Sequence, residues 1–348
     1  MQSTRVALIG LGGIADAHLR KLRWIDSAEV VGVCDLSASL AEAIAERFGV
    51  PFAGDDAERM IAELRPDVVH LLTPPTTHPR LATLALDAGA HVFVEKPMAV
   101  TGGGYEAMRD AARSAGRLLV EDLNYRFQRV TLQALELVRG GGIGEPVMVD
   151  AAMNVGLAEP KGPYADTDVP HFAHALPGGA LFNFASHPAS VVTAILGSHM
   201  GVRAWRRRLE PASLSDDELR ALVDMGRASA TITVTSHAKP STFTIAVRGT
   251  EGFLEADIFS QRLFASTRSG RIGRLADQAR QGSSQIAGAL ASAGRVATGR
   301  FDYMEGLGTL LEKFYAAVRG IGPPPLTSAD MDATNQLMFA LFEDGNQL

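Results

Sequence analysis

Val6-Ala7-Leu8-Ile9-Gly10-Leu11-Gly12-Gly13-Ile14-Ala15 is a short apolar run, a glycine turn and the start of a helical pattern. Residues 10–15 fit G-x-G-x-x-A, the turn that joins a strand to a helix in a dinucleotide-binding βαβ unit. Gly10 permits the tight turn, Gly12 lets the backbone approach a pyrophosphate, and Ala15 lets helix and strand pack closely. The anion then sits at a helix N-terminus, where free N–H groups and the helix dipole favour it. The cradle is expected to comprise Gly10, Gly12, Gly13 and Ile14. Asp35 ends the next strand pattern, 20 residues after Ala15, where a carboxylate binds the ribose 2′-hydroxyl. A glycine turn beside a surface Asp is the plain alternative, but strand, turn, helix and acid all stand in register. A carboxylate there repels a 2′-phosphate, and Leu36-Ser37 offers no cation, so NAD is favoured over NADP.

Outward from this stretch, strand and helix patterns alternate. Strands are expected at 29–34, 67–72, 91–94 and 117–120, and helices at 14–24, 37–48, 55–64, 78–88 and 101–115. Such alternation implies a doubly wound parallel sheet with helices on both faces. The pattern then changes. Residues 125–139 read as one long helix ending at Gly140-Gly141-Gly142. Two-residue alternation marks strands at 229–237, 242–248 and 253–257, with a turn at Thr250-Glu251-Gly252. Helices follow at 302–319 and 328–342. The fold class is therefore α/β: an N-terminal Rossmann domain, residues 1–122, then an α+β domain, residues 123–348, with a largely antiparallel sheet.

The chain has 348 residues, 46% hydrophobic and 21% charged, with a net charge of −6. That composition fits two globular domains and asks for neither nucleic acid nor a membrane as partner. The single cysteine, Cys34, excludes an internal disulfide or a cysteine zinc site and reads as a small core residue. The apolar run after Arg5 is too short for a signal peptide, and a soluble cytoplasmic protein is expected. Residues 261–300 hold seven Arg, one Asp and six Gly, a local charge of +6. They read as a solvated basic insertion, or as an arm for an anionic ligand, a membrane surface or a second subunit. On the second reading, charge reversal of Arg271 and Arg274 weakens binding of an anionic substrate.

Two clusters follow strands, where open α/β sheets bind ligands: Thr73-Pro74-Pro75-Thr76-Thr77-His78 and Glu95-Lys96-Pro97. A lysine so placed can reach cofactor and substrate, and partial burial lowers its pKa toward working pH. A cis bond before Pro97 would fix its direction. Taken alone, Lys96 could equally be a surface lysine. Tyr164, His171 and His174 lie in a Pro/Gly-rich loop of the kind that lines pockets. The two histidines lack a third ligand at a convincing spacing, so no metal is expected. His237 reads as the end of a strand, either facing substrate or on the rim.

Together these motifs resemble the Gfo/Idh/MocA oxidoreductases. The resemblance rests on Val92-Phe93-Val94-Glu95-Lys96-Pro97-Met98-Ala99, on residues 73–78 and 84–89, and on Asn124-Tyr125-Arg126-Phe127, Gly144-Glu145-Pro146-Val147 and Gly249-Thr250-Glu251-Gly252. It covers most of the chain apart from residues 261–300. It implies a nicotinamide cofactor, a hydroxyl/ketone redox step on a sugar or cyclitol, and subunit contacts through an open second sheet. It adds Thr73, Pro74, His78, Glu95, Lys96 and Arg126 to the expected cofactor site. The family's second motif is Gly-Gly, an Asp, a His four residues on and an Asp three later. Here Gly178-Gly179 and His187 are retained, while the acids are replaced by Asn183 and Ser190. Read by itself, His187 could be a helix-start histidine before Pro188.

The expected catalytic residues are thus Lys96, His187 and Asn183, with Tyr164, His174 and His237 added for substrate. Asn183 can orient a neighbour but cannot take up a proton. The expected activity is an NAD(P)-dependent dehydrogenase or reductase of a sugar, cyclitol or nucleotide-linked sugar, in a homo-oligomer. The rivals are a dinucleotide-binding sensor without turnover and a reductase of a non-sugar substrate.

Overall fold

In the computed structural model, the described residues are 3–156, 164, 171–210, 215–266 and 304–343, with isolated positions from 273 to 294. They form two compact units, one of residues 1–123 and 307–335, the other of 124–306 and 336–348.

The first unit is a six-stranded parallel sheet. Its strands are β1 (Thr4–Ile9), β2 (Ala28–Cys34), β3 (Ala53–Gly54), β4 (Val68–Leu71), β5 (His91–Val94) and β6 (Leu119–Glu121), in the order β3-β2-β1-β4-β5-β6. The central strands are apolar runs rather than alternations because helices bury both faces; all four residues of β4 are buried. The helices are α1 (Ala15–Leu22), α2 (Ala38–Phe48), α3 (Ala57–Leu64), α4 (His78–Asp87) and α5 (Gly102–Ala115). Their ends follow local chemistry. Ser37, Asp56 and Thr101 accept N–H groups at the starts of α2, α3 and α5, and left-handed Gly49 and Gly116 end α2 and α5. The winding direction reverses between β1 and β4, and their carboxyl ends form the crevice where such sheets bind ligands.

Helix α8 (Glu305–Val318) and the start of α9 (Ser328–Phe342) also bear on this unit. Residues 307–335 therefore pack with the first domain rather than with 123–348, where the sequence reading assigned them. Phe314 meets Phe93 edge-on at 5.3 Å, Tyr315 bonds His70 at 2.8 Å, and the Tyr105 hydroxyl donates to Asp332 at 2.7 Å.

The second unit carries a seven-stranded sheet in the order β13-β12-β11-β7-β10-β9-β8. Its strands are β7 (Pro146–Asn154), β8 (Gly201–Arg207), β9 (Glu218–Asp224), β10 (Ser229–Thr235), β11 (Thr242–Gly249), β12 (Phe253–Asp257) and β13 (Arg262–Ser266). Every pairing is antiparallel except β7 with β10. Burial alternates along β9, β10 and β11, so one face is covered and the other is open. Helices α6 (Arg129–Arg139) and α7 (Ala180–Leu196) pack on the sheet. The long helix expected over 125–139 is broken. Asn124–Phe127 is a 3₁₀ turn, Gln128 is extended, and α6 starts at Arg129. The Tyr125 ring, packed among His187, Phe243 and Phe259, holds that turn off the helix axis. The basic segment begins as edge strand β13; Arg271 and Arg274 lie outside the described residues. Among the described residues no helix is long and apolar enough to cross a membrane.

Candidate active site

The expected cofactor residues other than Arg126 lie in the first unit, at the carboxyl ends of β1, β2, β4 and β5. Gly10 has φ +90°, and a Cβ there would lie 2.7 Å from the Thr73 nitrogen, so turn and neighbour both demand glycine. A Cβ at Gly12 or Gly13 would meet nothing within 4 Å. That open space, beside Ile14 and the first N–H groups of α1, fits a pyrophosphate. Asp35 accepts the Leu11 N–H at 2.7 Å and the Ser37 N–H at 3.0 Å, which fixes its carboxylate beside the glycine loop. These groups fit a dinucleotide.

The loop after β4 is tied to the next one. The Thr77 hydroxyl lies 2.7 Å from the Thr73 hydroxyl and 2.8 Å from the Pro74 carbonyl. The His78 ring is fully buried, with one nitrogen 2.7 Å from the Thr73 carbonyl and the other 3.1 Å from that of Met98. It is a strut between the two loops. Burial lowers its pKa.

Glu95 and Lys96 follow β5, and the Lys96–Pro97 peptide is cis. The Lys96 N–H donates to its neighbour's carboxylate at 3.1 Å, and the Met98 N–H donates to Glu121 at 2.9 Å. Burial pushes the Lys96 ammonium below its ordinary value, against the opposing pull of Glu95, Asp122 and Glu121. Burial raises Glu121 to about 7 despite its two hydrogen-bond donors, Asn335 and the Met98 N–H. Of the buried pair, Glu95 lies below its ordinary value, held by His18 against burial, and Asp122 well above its own, raised by burial and by Glu95.

Within the second unit, α7 carries Asn183 and His187 one turn apart on one face, each only 4% exposed. His187 sits mid-helix, and Pro188 follows it inside α7, so the helix-start alternative does not hold. The Tyr125 ring meets His187 edge-on at 4.4 Å. The Asn183 amide donates to the Tyr164 hydroxyl at 3.4 Å, and the Tyr164 ring packs on His171 at 4.6 Å and Phe184 at 5.4 Å. Ser190, at the family's second acidic position, donates to the His187 carbonyl at 2.8 Å. Both ring nitrogens of His174 are buried and have no hydrogen-bond partner among the described residues. His237 lies beyond the end of β10 and pairs with Asp217 at 2.9 Å. Arg126 is buried in the turn before α6.

Sequence reasoning did not single out Tyr125 as a ring partner of His187, nor His18, His70, Asp122 and Tyr315 behind Lys96. Glu121-Asp122 directly after a strand end was the available signal for the acids. A buried histidine in an apolar strand gives none.

A family model described as an oxidoreductase family with an NAD-binding Rossmann fold matches residues 4–123, and the GFO/IDH/MocA C-terminal domain model matches 131–255. D-glucoside 3-dehydrogenase of Escherichia coli is 39% identical over 40% of this chain and 40% of its own length. Inositol 2-dehydrogenase of Salmonella typhimurium is 30% identical over 42% of this chain and 44% of its own. The matched stretch thus spans less than half of these relatives. The WlbA dehydrogenase of Bordetella pertussis, solved with NADH and UDP-GlcNAcA, shares the fold, with TM-score 0.81 and 21% identity over 98% of this chain and 95% of that one. Two models of one family account for both sheets, and the chain belongs to the GFO/IDH/MocA oxidoreductases.

Proposed function

We propose that the protein is an NAD-dependent dehydrogenase or reductase interconverting a secondary alcohol and a ketone on a sugar, cyclitol or nucleotide-linked sugar. The observation that carries this reading is one crevice holding the open glycine loop, the fixed Asp35 carboxylate and a desolvated Lys96. Gly10, Gly12, Gly13 and Ile14 hold the pyrophosphate, Asp35 the ribose, and Thr73, Pro74, Glu95, Lys96 and Arg126 the remainder, with His78 bracing the Thr73 loop. When bound, the cofactor exchanges hydride at its nicotinamide ring. His187 accepts the alcohol proton. Lys96, whose burial moves it toward working pH, assists by hydrogen bonding to the reacting oxygen. Asn183 orients substrate through its amide, and Tyr164, His174 and His237 contact the hydroxyl-rich substrate. Asp35 favours NAD, because its carboxylate would repel a 2′-phosphate. The substrate class is supported by the names of the partial relatives, a glucoside and an inositol dehydrogenase.

The open face of the second sheet is the proposed homo-oligomer contact; Leu222 on it is 55% exposed. The second reading, a dinucleotide sensor, is favoured by one observation. The motif's acids are replaced by an amide and by a serine bonded to its own helix. Nicotinamide absorbance, followed with NAD and NADP over a panel of sugars, cyclitols and nucleotide sugars, separates the two. Turnover with NAD supports the enzyme. Dinucleotide binding without turnover across the panel supports the sensor.

A further inference from the structure

Behind Lys96, the first unit contains a line of buried polar groups that ends on Glu95. The Tyr315 hydroxyl lies 2.8 Å from His70 Nε2. His70 Nδ1 lies 3.1 Å from His18 Nδ1, and His18 Nε2 lies 3.2 Å from Glu95 Oε1. Tyr315 is 1% exposed, His70 and His18 0%, Glu95 7% and Asp122 0%. These groups come from α8, β4, α1 and the ends of β5 and β6. His18, Glu95 and Asp122 place ligand atoms within 4.8 Å of one another, and His18 Nε2 bonds Glu95.

The proton positions follow from donor arithmetic. An ionised Glu95 only accepts, so His18 must carry its proton on Nε2. With a single proton on His18, Nδ1 accepts, which requires the proton of His70 on Nδ1. His70 Nε2 is left to accept, and Tyr315 donates to it. With one proton on each ring, all donors point one way; a second proton on His18 would reverse its link to His70. Burial keeps His70 neutral and the Tyr315 phenol protonated, in keeping with this assignment.

We propose that Tyr315, His70 and His18 form a one-way hydrogen-bond chain ending on Glu95, and that His18 is thereby a positioning residue for Lys96. Glu95 links the two, since Oε1 accepts from His18 and Oε2 accepts the Lys96 N–H. The groups facing this point are Glu95, Asp122 and Glu121 beside Lys96, His18 and His70 behind them, and His78 from α4. With Glu95 held as an anion, the Lys96 ammonium keeps a counter-ion. Without the His18 donor, Glu95 binds a proton more readily and Lys96 releases its own more easily. The role of Lys96 in turnover rests on the proposed function; the chain and its effect on Lys96 ionisation do not.

The protein has five lysines and nine histidines, few enough to follow singly. In full-length protein labelled at the lysine ε-carbon, the signal lost in Lys96→Met identifies Lys96. His18→Leu should lower the proton affinity of Lys96 by about tenfold. His18→Gln, whose amide offers one donor and one acceptor, should restore most of it. Tyr315→Phe, which keeps the ring, should shift it in the same direction by less. Nitrogen-15 spectra of the imidazoles should show His18 protonated on Nε2 and His70 on Nδ1. An unmoved Lys96 titration in a folded His18→Leu or Tyr315→Phe protein would overturn the proposal, as would opposite tautomers. If these spectra hold while no turnover is found, the chain stands and the enzymatic reading falls.

Discussion

Glu121 gives the account a prediction with a definite sign. Burial raises its carboxyl from the ordinary 4.5 to about 7, although the Asn335 amide and the Met98 N–H both favour the ionised form. The native protein therefore binds this proton more tightly than the unfolded chain does. The contribution of Glu121 to stability is fully present below pH 4.5 and is lost as the pH rises toward 7 and beyond. Over that interval, at about 1.4 kcal/mol per pH unit, the loss amounts to about 3 kcal/mol. Glu121→Gln removes the titration while keeping a side chain of similar shape. Denaturant unfolding of both proteins, measured across about pH 4 to 8, yields a stability difference from which other titrating groups largely cancel. That difference, wild type minus variant, should fall by about 3 kcal/mol with rising pH. A flat difference would mean that burial and the two donors balance. A rising one would mean that the donors win and Glu121 sits below its ordinary value. Either would refute the reasoning.

Other predictions are brief. Gly10→Ala should destabilise the protein by about 2 kcal/mol or more, since a left-handed φ meets a Cβ clash with Thr73 backbone. Gly12→Ala, by contrast, adds a Cβ in open space, so stability should change by less than about 0.5 kcal/mol while NAD affinity falls at least roughly tenfold. Calorimetric binding beside thermal unfolding checks the pair. Cys34, pushed up to about 11 chiefly by burial, should resist thiol reagents at about pH 8 in the native protein and react once unfolded. Asn183→Asp restores the acid of the family motif; the pH profile of kcat should gain a limb, and an unchanged profile would mean that an acid at position 183 takes no part in proton transfer.

The sequence made the first sheet legible because its signals are local. Apolar runs mark buried strands, glycines mark the loop, and Asp35 falls at the spacing set by one βαβ unit. The motif around Lys96 was legible for the same reason. The rest depends on contacts distant in sequence. Residues 307–335 return to the first unit because Phe314 and Tyr315 find Phe93 and His70, more than two hundred residues earlier. The turn at Tyr125 is set by rings on α7 and β11 and near β12. Strands β7 and β9 carry large apolar residues, Val147 and Leu222, at exposed positions, so no clean polar–apolar alternation marks them. His18 and His70 gain meaning only as partners, which no spacing in the chain announces.

The most direct test of the central claim compares Lys96→Ala with wild type, measuring NAD binding and nicotinamide turnover on the same preparations. The account predicts that the variant still binds NAD while turnover on the wild-type substrate collapses by at least about 10²-fold, as expected for loss of a proton-transfer group. Turnover within a few-fold of wild type in a variant that binds NAD normally would contradict it.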